Sequence, residues 1–192
     1  MLTDRLRFLA QGARHLPDRM LHSWRRRAAA GHLAHQPLPR AVLFVCHGNI
    51  CRSPYAAAVA RKLLPAGVTV ESAGFIGPGR PSPPEAVAVA AERGADLTSH
   101  RSQLITAEHL SRADIMVVMD PQQRRHLIAM RPALSDRVVL LGDLDPEPIT
   151  RRAVPDPVEQ PSEVFRSCYD RIERCVRVFA ALRREGCDDA QS

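Results

Sequence analysis

The chain opens on apolar residues spaced by fours and threes: Leu2, Leu6, Leu9, Ala13, Leu16 and Met20. That spacing marks one face of an amphipathic helix. Pro17-Asp18 interrupts the stripe and predicts two short helices in place of one. Gln36-Pro37-Leu38-Pro39 reads as a short stiff linker. Beyond it the pattern changes. Ala41-Val42-Leu43-Phe44-Val45 is apolar at every position, as in a strand buried on both faces. Ser53-Pro54 precedes an Ala-rich stretch and predicts a helix with Ser as its cap. Further strands are expected at residues 68–72, 114–119 and 137–141, and further helices at 84–93, 121–130 and 162–184. In the last helix Val164, Cys168, Ile172, Cys175, Val178, Phe179 and Leu182 share one side. Strands alternating with helices imply an α/β fold, a parallel sheet covered on both faces. Ligands in such sheets sit at the carboxyl ends of strands.

Charge changes the picture of the first segment. Residues 1–40 carry eight Arg and two Asp, while residues 41–192 carry 19 basic and 19 acidic side chains. The formal net charge of +6 therefore belongs to an N-terminal extension, and the body is neutral. A neutral body argues against a nucleic-acid partner. The segment before Ala41 lacks the apolar core of a secretory signal, and no run is long enough for a membrane span. Five Cys without an even framework do not read as a secreted disulfide scaffold, so a cytoplasmic protein is expected. Contact of residues 1–30 with an anionic membrane surface or an acidic partner is one reading. A solvated or self-docked extension is the plainer one and is preferred, because basic amphipathic patterns are common. On that reading, removal of residues 1–38 leaves turnover nearly unchanged.

The segment after the first strand concentrates the chemistry. It reads Cys46-His47-Gly48-Asn49-Ile50-Cys51-Arg52-Ser53. Cys46 ends a strand and faces the start of a helix, where free N–H groups favour a thiolate. Gly48 and Asn49 tolerate the left-handed backbone that curls N–H groups into an anion nest. Arg52 offers a planar fork for two phosphoryl oxygens. Ser53 can donate a hydrogen bond to the thiolate. The strand, Cys-x5-Arg, Ser-Pro, helix order is far more specific than the bare spacing.

The run from Val42 to Pro54 closely resembles the signature of the low-molecular-weight protein tyrosine phosphatases. The resemblance continues through Ser72-Ala73-Gly74, the segment 97–102, 113–120, Leu140-Leu141-Gly142 and Pro155-Asp156-Pro157. It implies a three-layer α/β/α fold of flavodoxin-like type, with a four-stranded parallel sheet and the helical extension added in front. Residues 41–185 would form the phosphatase domain, 1–40 the extension and linker, and 186–192 a tail. It also implies hydrolysis of a phosphomonoester through a cysteinyl-phosphate, without metal or cofactor. Cys46 is then the nucleophile, Arg52 the phosphate clamp and Asp156 the general acid and base. The resemblance gives Asn49, Ser72 and His100 a hydrogen-bond network that orders the loop, and pairs Cys46 with Cys51 as a reversible, protective disulfide. His47, Gly48, Ile50, Cys51 and Ser53 complete the candidate phosphate loop. Asp120, before Pro121, reads as a helix cap. Cys168 and Cys175 read as core. The implied partner is a phosphorylated protein, a tyrosine kinase included, or a small phosphomonoester.

Some positions depart from the family pattern. Asp156-Pro157 leads into Val158-Glu159-Gln160 in place of aromatic residues. The candidates for an aromatic wall are Phe75 and Tyr55, and Glu159 would stand near the mouth. Arsenate reductase is the first rival, but no Cys lies between Cys51 and Cys168 to serve as a further redox pair. A protein-arginine phosphatase resembles a loop with Thr where Ile50 stands here. A non-catalytic phosphate-binding regulator is the rival from another class.

Overall fold

The computed structural model describes residues 16–188, with side chains described to residue 183. The first half of the amphipathic stripe, up to Ala13, and the last four residues of the tail lie outside the described residues. The polypeptide alternates as the pattern requires. Helix α1 (Leu16–Ala34) precedes strand β1 (Ala41–Cys46), helix α2 (Arg52–Leu63), strand β2 (Thr69–Gly74) and helix α3 (Pro84–Glu92). There follow α4 (Ala107–Arg112), β3 (Ile115–Val118), α5 (Pro121–Met130), β4 (Val138–Leu140) and the long α6 (Ser162–Asp188). The sheet order is β2-β1-β3-β4, and every pair is parallel.

Period-two burial explains the three layers. Val42 and Phe44 of β1 and Ile115 and Val117 of β3 pack under α2, α3 and α6. Leu43, Val45, Met116 and Val118 face the other way, onto Leu110 of α4 and Leu127 of α5. Phe44 meets Phe179 of α6 edge to face, with centroids 6.2 Å apart. Cys168 and Cys175 are buried in this same layer, and burial pushes both thiols up to about 12. Connections leave β1 toward β2 on one side and β3 lies on the other. The carboxyl end of β1 is therefore the topological switch point, where a ligand has room.

Two local features differ from the periodicity reading. Helix α2 begins at Arg52 with Cys51 at its cap position, so Ser53 lies inside the first turn and is not the cap. Helix α4 has too few buried residues to show a period; it is fixed by a capping box between Thr106 and His109. Asp120 does cap α5, accepting from the N–H groups of Gln122 and Gln123.

Helix α1 is docked. Leu33 is fully buried within the layer formed by α2 and α6, and His22 is buried against the segment after β4. This packing makes the second half of the extension part of the folded body and argues against removing it without consequence. Among the described residues no helix is long and apolar enough to cross a membrane.

Candidate active site

The site is built on the carboxyl end of β1. Cys46 is buried there, and its Sγ lies 3.0 Å from Ser53 Oγ and accepts from Asn49 N–H at 3.2 Å. Ser53 thus serves the sulfur from within α2.

Asn49 turns the loop. It takes φ +51°, and its fully buried side chain donates to Ser53 Oγ and Ser72 Oγ, each at 2.9 Å. Its Oδ1 accepts from Gln103 N–H at 2.8 Å, and its carbonyl accepts from His100 Nε2 at 2.7 Å. The expected network of Asn49, Ser72 and His100 is therefore present, with Gln103 as an additional member. Burial holds the His100 imidazole below its ordinary value, so the neutral ring donates to that carbonyl.

Gly48 does not share the left-handed backbone with Asn49. Its need for a missing side chain is spatial. A Cβ there would lie 3.0 Å from Arg80 Nη2, which donates to the Gly48 carbonyl at 2.8 Å. Arg80 also donates from Nε to Gly77 O at 2.9 Å and so clasps the loop from outside. Gly74 ends β2 against the loop, and a Cβ there would stand 2.9 Å from His47 O and Asn49 N. Arg80 did not stand out in the sequence, because it acts on backbone atoms of a distant segment.

Arg52 is buried and ties the loop to the Asp156 segment. Its Nη1 donates to Val154 O at 3.2 Å, and its Nη2 pairs with the Asp156 carboxylate. Its Nε is buried and no acceptor of the protein reaches it. A buried guanidinium N–H without a protein partner is a donor ready for an oxyanion. Asp156 is 44 % exposed, so its carboxyl is open to the cleft.

A small pocket of about 130 Å³ stands over Cys46, Gly48, Ile50 and Cys51, with Arg80 and Val158 on its rim. It opens to a cleft of about 800 Å³ lined by His47, Phe75, Ile76, His126, Arg151 and Asp156. Phe75 and His126 stand together with ring centroids 4.7 Å apart. His126 and Arg151 are wall residues that composition and spacing did not single out. Tyr55 is not a wall residue. It is fully buried, stacks on Tyr169 at 3.7 Å and donates to Glu173. Burial, with that hydrogen bond, pushes its phenol well above the ordinary value. Cys51 is buried as well, and burial followed by the nearness of Cys46 pushes its thiol far up. Cys46, Cys51, Cys168 and Cys175 are all free thiols.

A strand-end Cys whose sulfur meets Asn49 N–H and Ser53 Oγ, a left-handed turn, a buried Arg with a spare N–H and a half-exposed carboxyl together form a pocket suited to an oxyanion. Comparison with known proteins is specific about which kind. The family model for the low molecular weight phosphotyrosine protein phosphatases matches residues 41–187. The chain belongs to that family and is a phosphatase. It is 40% identical over 139 residues to the probable low molecular weight protein-tyrosine-phosphatase EpsP of Ralstonia nicotianae, covering 71% of this chain and 91% of that one. It is 34% identical to the low molecular weight protein-tyrosine-phosphatase Wzb of Escherichia coli, covering 75% of this chain and 96% of the relative. Among solved structures it resembles the YwlE arginine phosphatase of Geobacillus stearothermophilus, with TM-score 0.69, 30% identity and coverage of 79% and 96%. Wzb of Vibrio vulnificus in complex with benzylphosphonate gives TM-score 0.66, 33% identity and coverage of 73% and 97%.

Proposed function

We propose that the protein dephosphorylates phosphotyrosine in proteins through a cysteinyl-phosphate. The observation that carries the reading is the spare Nε of Arg52 beside Cys46 and Asp156. The Cys46 thiolate attacks phosphorus, an S–P bond forms, and the P–O bond to the leaving group breaks. Arg52 and the loop N–H groups hold the oxygens of the transferring phosphoryl group. Asp156 gives its proton to the leaving oxygen. Its carboxylate then takes a proton from water as that water attacks phosphorus, releasing inorganic phosphate and the thiolate. The Phe75–His126 pair supplies an apolar wall for an aryl ring.

The relatives named as tyrosine phosphatases and Ile50 in the loop favour phosphotyrosine over phosphoarginine. Arsenate reduction and a purely binding role fit less well. The first lacks a further Cys between Cys51 and Cys168, and the second leaves Asp156 without a task. A panel of phosphotyrosine peptides, phosphoarginine, small phosphomonoesters and arsenate with thiol tests the assignment. Phosphotyrosine is expected to give the highest kcat/KM. Preference for phosphoarginine, or thiol-dependent arsenate reduction at a comparable rate, would overturn it.

We also infer an anionic lipid surface as the partner of α1's outer face. Leu16, Met20 and Trp24 form a stripe, exposed by 51, 75 and 61 %, and Arg19, Arg26 and Arg27 are exposed on the same helix. Sedimentation with vesicles of neutral lipid, with and without phosphatidylserine, tests this. Binding only in the presence of phosphatidylserine, weakened by Trp24→Glu, is expected. No binding, or equal binding to neutral vesicles, would contradict it.

A further inference from the structure

We infer that α1 is a brace for the general-acid segment, with Asp18 and His22 as positioning residues for Asp156. The inference rests on the general-acid reading of Asp156 proposed above. It concerns a segment outside the family match, which begins at residue 41.

The contacts run from helix to acid in a few steps. His22 Nε2 donates to Asp145 O at 2.9 Å, a buried contact. The Asp145 carboxylate is fully buried and accepts from Arg171 Nε at 2.9 Å and Arg174 Nε at 2.7 Å. Arg171 in turn donates to the carbonyls of Arg151 and Ala153, both at 2.8 Å. Asp18 acts on the same stretch directly, since its Oδ2 accepts from Arg152 N–H at 3.1 Å. The Arg152 side chain is held by Asp143, at 2.8 and 2.6 Å. Arg151, Ala153, Val154, Pro155 and Asp156 all line the cleft. The backbone of 151–153 is thus pinned from α1 and α6 immediately before the acid.

The pinning has little slack. A Cβ on Gly142 would fall 1.8 Å from Arg152 O, so the strand-end turn and the acid segment touch backbone to backbone. Three residues, Ala153, Val154 and Pro155, separate a charged clasp at Arg152 from the pair between Arg52 and Asp156. A rotation of the segment at 151–153 therefore moves the carboxyl at 156 and the Val154 carbonyl on Arg52, while Cys46 and the loop backbone stay held by Asn49 and Arg80. Loss of the α1 contacts should weaken proton delivery more than phosphate binding.

The test is a leaving-group series of aryl phosphates on the full chain, read as kcat/KM. Asp18→Ala and His22→Ala are compared with wild type, Asp156→Ala and His22→Gln, whose amide can still donate to Asp145 O. General acids contribute about 100-fold or more. A partly misplaced one is expected to lose about threefold to tenfold on phenyl phosphate and little on 4-nitrophenyl phosphate. Competitive inhibition by inorganic phosphate should weaken less than kcat/KM on phenyl phosphate falls, and His22→Gln should restore most of the loss. A uniform loss across leaving groups, or no loss, would overturn the brace. The control separates the two readings. If Asp156→Ala steepens the leaving-group dependence and the α1 variants do not, the brace alone fails. If Asp156→Ala does not steepen it, the general-acid reading fails first.

Discussion

Asn49 is the residue on which the loop geometry converges, and its replacement can be worked through. Asn49→Ala removes two donated hydrogen bonds, to Ser53 and Ser72, and one accepted from Gln103 N–H. All lie in a fully buried environment, so each lost bond costs about 1 kcal/mol. The φ of +51° adds about 1 kcal/mol for an alanine, which lacks the local bonding that lets Asn adopt it. The sum is about 4 kcal/mol, a large part of a domain's usual stability. Asn49→Gly loses the bonds without the strain and should be the more stable of the two by about 1 kcal/mol. Urea unfolding of both variants measures these differences. Activity should fall about 100-fold in each folded variant, because the turn that aims N–H at Cys46 Sγ is no longer held. A loss below about 1 kcal/mol with near-normal kcat/KM would refute the claim that this side chain orders the nest.

Other consequences follow from single contacts. Gly74→Ala should lower kcat by about tenfold or more, because its Cβ meets loop backbone at 2.9 Å; steady-state kinetics with the fold checked by circular dichroism measure this. Leu33→Ala should cost about 3 kcal/mol in urea unfolding, since the side chain is fully buried; a loss under 0.5 kcal/mol, on the order of an exposed site, would mean α1 is not docked. His100 has its imidazole held below the ordinary value by burial, so the unfolded chain takes up its proton first as pH falls. The stability contributed by the neutral ring is present above the ordinary histidine value and declines as pH drops from there toward the folded value. Unfolding at pH 8 and pH 5.5 should show a smaller pH loss in His100→Gln than in wild type.

The layers and the nest were legible in the sequence for a physical reason. Val42 to Val45 is apolar on both faces, and Cys46, Asn49, Arg52 and Ser53 are local to one turn, so their relation is carried by spacing alone. Ser72, His100 and Asp156 were reached through family resemblance, and the first two do join Asn49 as that resemblance implied. What stayed hidden were relations between distant segments. Arg80 reaches Gly48 across 32 residues, and Asp18 reaches Arg152 across 134. Tyr55 lies in a helix start that touches the loop, which made it a candidate wall, yet its ring turns into the core against Tyr169. Helix α1 runs from Leu16 to Ala34, well past the stripe that ends at Met20, and its buried residues, His22 and Leu33, lie off that stripe.

The account's central claim is that phosphoryl transfer passes through Cys46. Its most direct test is mass spectrometry of Asp156→Ala quenched in acid-stable conditions during turnover of an aryl phosphate, alongside turnover by Cys46→Ser. The account predicts one phosphoryl group on the peptide that contains Cys46, and no turnover by Cys46→Ser. Phosphoryl transfer to another residue, or continued hydrolysis by Cys46→Ser at the wild-type rate, would contradict it.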